Sequence, residues 1–316
     1  MSSIEEAKSL LRNESIIKDA AKKIYSSLTI GKTPSDNPTA IIIGAQPGAG
    51  KSGLAINSLK TLGPNSIELD VDYFRAFAIP YIQDVLQSNP DMFVSITNEF
   101  YNTLNAIIQP RLIKDGYDLV FHRTFRSAGP LIEDTIIPLQ NQNYNIIIRG
   151  LAVHALESLT SSVERAQVLR EHTGLTRWVY PDYHKNNYEA IPQVISQLAS
   201  EEYANCIQIF KRGETPDKPI MIYSKVLSAV PDQPNIQDLG EYDYNAETPI
   251  KEAFEKGRNE DLPDILKSMP KRIENIEGNI QTEEETKIVN YLKDLYQEYN
   301  QQFGSGSQST DSSAQE

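Results

Sequence analysis

Cysteine, tryptophan and long apolar runs are scarce in these 316 residues, and each scarcity removes a class of protein. The single cysteine, Cys206, excludes an internal disulfide and fits a reducing compartment. No segment approaches the run of about 18 apolar residues that a membrane span needs. The N-terminus, MSSIEEAKSLLRNESIIKDAAKKIY, is charged every few residues and has no apolar h-region of a Sec-type signal peptide. A cytoplasmic protein is therefore expected, with delivery into another cell by a specialised secretion system left open. Lys and Arg form no cluster, which disfavours a nucleic-acid partner. His122, His154, His172 and His184 lack zinc-ligand spacing and have no cysteine partners, so a zinc site is not expected.

What is present describes a folded chain. An apolar content of 39%, with 16 Tyr and 9 Phe, supports a real hydrophobic core. The net charge of −13 is uneven: residues 231–316 hold 19 acidic and 8 basic residues, and the rest of the chain is nearly balanced. Composition thus divides the chain into an N-terminal helix and linker (1–38), a main domain (39–230), an acidic helical extension (231–303) and a Gly/Ser/Gln-rich tail (304–316) expected to be disordered.

Hydrophobic spacing predicts a helix over 4–28, with Asn13 as an interruption. Thr39–Gly44 is a short β-branched run ending at glycine and reads as a buried strand; a helix follows from Lys51. Further strands are expected at Ser66–Leu69, Asp118–His122, Asn145–Arg149, Cys206–Lys211 and Ile220–Tyr223. Helices are expected between them, one of them kinked at Pro110. Charged helical segments lie near 249–258, 261–278 and 282–302. This alternation predicts an α/β fold, a mainly parallel sheet covered by helices on both faces, plus a C-terminal helical extension. Ligands of such sheets bind at the carboxyl ends of the strands, where Gly44, Asp72, His122 and Arg149 are expected.

Between the first strand and its helix stands Ala45-Gln46-Pro47-Gly48-Ala49-Gly50-Lys51-Ser52. Glycines let successive backbone N–H groups turn inward on a phosphate, and the following helix adds its N-terminal partial charge. In such a loop Lys51 reaches the β- and γ-phosphates of ATP and the Ser52 hydroxyl ligates Mg²⁺. Ala45 stands where a first glycine is usual. A chance glycine-rich turn would lack the strand before and the helix after, and both are here.

With its flanks, this loop resembles the zeta-toxin kinases, P-loop enzymes that phosphorylate UDP-N-acetylglucosamine. The similarity runs from Gly31-Lys32-Thr33-Pro34 through Gly44–Ser52, Leu69-Asp70-Val71-Asp72-Tyr73-Phe74-Arg75, Gly116-Tyr117-Asp118-Leu119-Val120 and Ser162-Val163-Glu164-Arg165, to Arg177 and His184. It covers about residues 15–225. The resemblance implies that Asp72 is the general base taking the proton of the acceptor hydroxyl. It implies too that Arg165 and Arg177 grip the ATP phosphates and neutralise the transition state. Chemically, a carboxylate facing the γ-phosphate suits that task. The alternative for Asp70 or Asp72 is capping of the next helix, with Asp70 otherwise assisting metal-bound water. Without the resemblance, Arg165 on a charged helix reads as a solvated salt-bridge partner.

The acceptor side departs from the family. Where a Glu-Gly-Thr-like segment is usual, this chain reads Phe121-His122-Arg123-Thr124-Phe125-Arg126. The expected acceptor contacts are Asp70, Arg75, His122, Thr124 and Arg126, in a pocket bulkier and more basic than the family's. His122 is either a substrate contact or a packed strand-end residue. Three functions follow: a kinase for a sugar-nucleotide, a kinase for a dinucleotide such as NAD, or a nucleotide-binding interaction protein without catalysis. If the kinase is toxic, the resemblance implies a small helical antitoxin protein as partner.

Overall fold

The computed structural model describes residues 3–228 and 249–303; the tail 304–316 and residues 229–248 lie outside them. β-Branched runs form the centre of a six-stranded sheet ordered β2-β3-β1-β4-β5-β6. The strands are β1 (Thr39–Gly44), β2 (Ile67–Leu69), β3 (Leu119–Arg123), β4 (Asn145–Leu151), β5 (Cys206–Lys211) and β6 (Ile220–Val226). The first five are parallel, and β6 closes one edge antiparallel to β5. Every residue of β1 and β4 is buried, because helices cover both faces. Alternation assigns Ile42, Ile148 and Ile207 to one core and Ile41, Ile43 and Ile147 to the other.

The larger core lies under α1 (Ile4–Leu11), α2 (Glu14–Thr29), α5 (Ile79–Ser88), α6 (Phe93–Lys114) and α10 (Pro181–Ser200). The N-terminal helix breaks at Asn13, whose side chain accepts from the Ser15 amide and caps α2. Pro110 is accommodated within α6. The smaller core is sealed by α3 (Lys51–Leu62). Residues 128–140 form α7 (Ala128–Leu131) and α8 (Ile137–Gln140), separated by a π-helical turn at Ile132–Ile136.

Arg149 is not at a strand end. β4 continues to Leu151, and the Arg149 side chain lies wholly buried in mid-sheet. It donates to Gln208 Oε1 (2.9 Å), Ser58 Oγ (2.7 Å) and Asn57 Oδ1 (3.2 Å). A guanidinium with three such acceptors can be kept inside, so the charge that marks a strand terminus in sequence marks none here.

The acidic C-terminal segments pack in two ways. α11 (Ile250–Asn259) inserts Phe254, fully buried, into the larger core beside Gly150 and Ile195. α12 (Leu262–Glu277) and α13 (Glu283–Phe303) pack on α9 (Ala155–Thr173), burying Met269, Ile288 and Leu292 against Leu156, Leu159 and Val163. Apart from Glu285, which is buried and pairs with Arg170 of α9, their acidic residues lie toward the outward faces left by this packing. No helix among the described residues is long and apolar enough to cross a membrane.

Candidate nucleotide site

β1 delivers the chain to the loop at Gly44, where a Cβ would lie 2.2 Å from the Phe125 ring. Phe125 itself takes a left-handed φ of 51° to present that ring. Gly48 and Gly50 have φ of 76° and 101°, which L side chains rarely adopt, and a Cβ on Gly48 would stand 1.9 Å from the Ser158 carbonyl oxygen. The loop therefore closes on α9 with no room to spare. Gln46 is wholly buried; its Nε2 donates to the Val153 carbonyl (2.8 Å) and Ser158 Oγ (3.2 Å). Ser158 Oγ also meets His184 Nε2 at 2.9 Å, which joins the loop to α9 and α10. Burial first, then the nearby cations Lys51 and Arg258, push His184 down to about 4, so it is a neutral structural partner.

Pro47 and Ala49 complete the turn, Ala49 fully buried, and Ser52 is exposed in the first turn of α3. The Lys51 ammonium turns back on the loop carbonyls of Ala45 (2.6 Å) and Gln46 (3.3 Å). Burial, then the fields of Arg165 and Arg177, push Lys51 down to about 7 against the opposing pull of Asp72 and Asp70. Sequence-distant residues are thus gathered around one lysine.

Asp70 is the N-cap of the short helix α4 (Val71–Arg75), accepting from the Asp72 amide at 3.0 Å. Asp72 follows in the first turn of α4 rather than at the strand end itself. Its Oδ2 meets Arg177 Nη1 at 2.6 Å, and its Oδ1 accepts from Arg75 Nε at 3.4 Å. Burial alone would raise the Asp72 pKa; Arg177 and Arg75 outweigh it and hold the carboxylate below its ordinary range. Arg75 is buried, donating also to the Val94 carbonyl, Thr97 and Asn98 and lying over the Tyr101 ring at 3.8 Å. These contacts make Arg75 a support that fixes α4 on α6.

The other expected acceptor residues are more scattered. His122 is buried, with Nε2 2.8 Å from Glu68 Oε1 on β2. Thr124 is half-buried and Arg126 exposed in the stretch after β3. Arg123 is pulled down to about 10 by burial and donates to Gln109 Oε1 and the His122 carbonyl. Glu68, with Asp70 and Tyr73, lines a groove of about 930 Å³ along the edge strand β2.

Arg212, just past β5, carries no sequence signal and lies at the centre of the loop's support. It donates to the carbonyls of Gly48 and of Ala49 (3.1 Å) and pairs with Glu157. Only its place at the end of a strand beside β4 could have drawn attention to it.

A family model described as zeta toxin matches residues 25–218. The chain belongs to the zeta toxin family. Toxin zeta of Enterococcus hirae is 25% identical over 186 residues, 58% of this chain and 64% of that protein. Toxin PezT of Streptococcus pneumoniae serotype 4 is 28% identical over 156 residues, 49% of this chain and 61% of that one. In these matches the zeta-family chain spans somewhat less than two thirds of its relatives' length. The solved structure from the PezAT chromosomal toxin-antitoxin system of Streptococcus pneumoniae superimposes with a TM-score of 0.63 at 19% identity, covering 91% of this chain and 97% of that one. The shared fold is the P-loop kinase type, and at 91% coverage it reaches well past the family-matched segment.

Proposed function

We propose that this zeta-family chain is an ATP-dependent kinase that transfers the γ-phosphate of MgATP to a sugar or ribose hydroxyl. UDP-N-acetylglucosamine is the first acceptor to test. The observation that carries this proposal is the convergence on Lys51 of Asp72, Arg165 and Arg177 from three separate elements. Catalysis of phosphoryl transfer is chiefly positioning and charge neutralisation, and these residues supply both. Lys51 and the backbone N–H groups after Pro47 hold the phosphates, Arg165 and Arg177 offset the charge on the transferring oxygens, and Asp72 receives the acceptor proton. Asp72 must exchange Arg177 for the acceptor hydroxyl to do so, and an incoming γ-phosphate is the natural competitor for that arginine. Among the described residues no group of three His, Cys, Asp or Glu could hold a metal ion. That fits Mg²⁺ carried by the nucleotide phosphates, with Ser52 as its protein ligand; the ion neutralises phosphate charge when bound.

An alternative acceptor is NAD. It is favoured by His122, which stands where the family has a carboxylate and is engaged with Glu68. We further propose that the kinase acts as a toxin and that a small helical antitoxin protein covers its ATP site, in line with the toxin-antitoxin relative.

The test is purified protein with MgATP and, separately, UDP-N-acetylglucosamine or NAD, with products read by mass. A phosphorylated product that disappears in Lys51→Ala, and falls by about 10²-fold or more in Asp72→Asn while ATP still binds, is the expected result. ATP consumption unchanged in Asp72→Asn would remove Asp72 from the chemistry, and ATP binding with no product from either acceptor would point to another acceptor or a nucleotide-binding interaction protein.

A further inference from the structure

A phosphate-binding loop works only if its N–H groups face inward, which turns its carbonyls outward and leaves them in need of donors. In this chain one side chain supplies two of them. Arg212 donates through Nη2 to the Gly48 carbonyl and through Nε to the Ala49 carbonyl. Its remaining donor, Nη1, pairs with Glu157 Oε1 on α9. The other oxygen of Glu157 belongs to Arg272 on α12, at 2.5 Å. Arg272 in turn makes a two-pronged pair with Glu164, Nε to Oε1 at 2.8 Å and Nη2 to Oε2 at 2.7 Å. Ser161 Oγ lies between them, 3.3 Å from Arg212 Nη2, 3.2 Å from Arg272 Nη2 and 3.1 Å from Glu157 Oε1.

The chain of contacts therefore runs from the loop backbone through Arg212 and Glu157 to a helix of the C-terminal segment. It returns to α9 at Glu164, the residue before Arg165. We infer that Arg272 is a positioning residue for the nucleotide site, acting through Glu157 and Arg212 on the loop and through Glu164 on the helix that carries Arg165. The C-terminal helices are by this account part of the ATP-binding machinery rather than an appendage. The geometry favours this over simple surface pairing. Glu157 is 15% and Arg272 21% exposed, each oxygen of Glu157 meets a different arginine, and the Arg272–Glu164 pair is two-pronged, which fixes orientation where exposed single pairs do not. Loss of Arg272 leaves Glu157 with one cationic partner and its Oε2 without one, and frees Arg212 to swing off the loop carbonyls.

This inference deepens the kinase proposal, so its first measurement needs no nucleotide. Backbone hydrogen exchange of the full-length, ligand-free protein is followed in peptides covering 45–52 for wild type, Arg272→Ala, Arg272→Lys and Arg170→Ala. Arg170 pairs with Glu285 farther along the α9–α13 contact, so its variant loosens the same helices without touching the network. The expected result is exchange of the loop amides faster by about tenfold in Arg272→Ala, partly restored in Arg272→Lys and unchanged in Arg170→Ala. The Kd of a fluorescent ATP analogue should weaken in the same order, while thermal midpoints of the two alanine variants fall alike. Equal loop exchange in Arg272→Ala and wild type, or equal acceleration by Arg170→Ala, overturns the inference. Faster loop exchange in a protein that binds no ATP analogue even as wild type would instead sink the kinase proposal and leave Arg272 a determinant of loop order.

Discussion

Lys51 shows how a single residue is tuned by its surroundings. Burial and two neighbouring arginines hold it near 7, so at pH 8 the free protein carries it mostly neutral. Phosphates entering the loop reverse that balance, because an adjacent polyanion favours the ammonium. Binding of MgATP at pH 8 should therefore take up close to one proton, and the uptake should shrink toward pH 6, where Lys51 is already charged. Calorimetry in two buffers of different ionisation enthalpy reads this directly. No proton linkage at pH 8, or the same linkage in Lys51→Ala, would remove Lys51 as the titrating group. His184 contrasts with it: also buried and depressed, but spent on Ser158 and so on holding the loop against α9.

At the scale of elements, the loop between β1 and α3 is constrained from two sides. Positive-φ glycines before and after α3 differ in what surrounds them, and the difference separates strain from contact. Gly48 combines a positive φ with a carbonyl in the way of any Cβ, whereas Gly63, at φ 90°, has nothing within 4 Å. Both substitutions to alanine carry a backbone cost on the order of 1 kcal/mol. Only Gly48→Ala must also push the loop off Ser158, so it should weaken ATP binding by about tenfold or more, equivalent to about 1.4 kcal/mol, while Gly63→Ala leaves affinity intact. Titration of a fluorescent ATP analogue into both variants decides it; equal affinities would mean that the loop yields without consequence. α4 is constrained in its own way. Asp70 caps it and Arg75 nails it to α6, which leaves Asp72 in the first turn with its carboxylate toward Arg177.

For the molecule as a whole, the boundary drawn by composition near residue 231 is crossed by packing. Phe254 fills space beside Gly150 and Ile195 in the main core, although it lies in the C-terminal extension well beyond the family-matched segment. Phe254→Ala should cost about 3–5 kcal/mol of global stability, the range for emptying a large aromatic site. Urea unfolding followed by both far-UV signal and tyrosine fluorescence should shift as one transition. A loss below about 1 kcal/mol, or a separate early transition, would show that α11 docks independently of the sheet.

Much of this was legible in the residues themselves. The run TAIIIG, the loop to Ser52 and the periodic helices around them are local signals, since β-branching, glycine and 3.6-residue spacing act within a few residues of chain. The zeta-family resemblance supplied Asp72, Arg165 and Arg177 by order and spacing, and folding brings all three to Lys51. Long-range pairing was beyond such signals. Nothing near Arg149 indicates that Ser58 and Gln208 will bury it in mid-sheet, and nothing near Arg212 indicates that it will hold the carbonyls of a loop some 160 positions earlier. Likewise Glu68 becomes the partner of His122 only because β2 and β3 lie side by side. Sequence by itself determined which segments become strands, helices and phosphate loop, because those choices depend on local sterics and spacing. Which charges are silenced, which are poised, and which helices brace the loop was decided by tertiary structure, because electrostatic and packing energies depend on distances that only the closed fold sets.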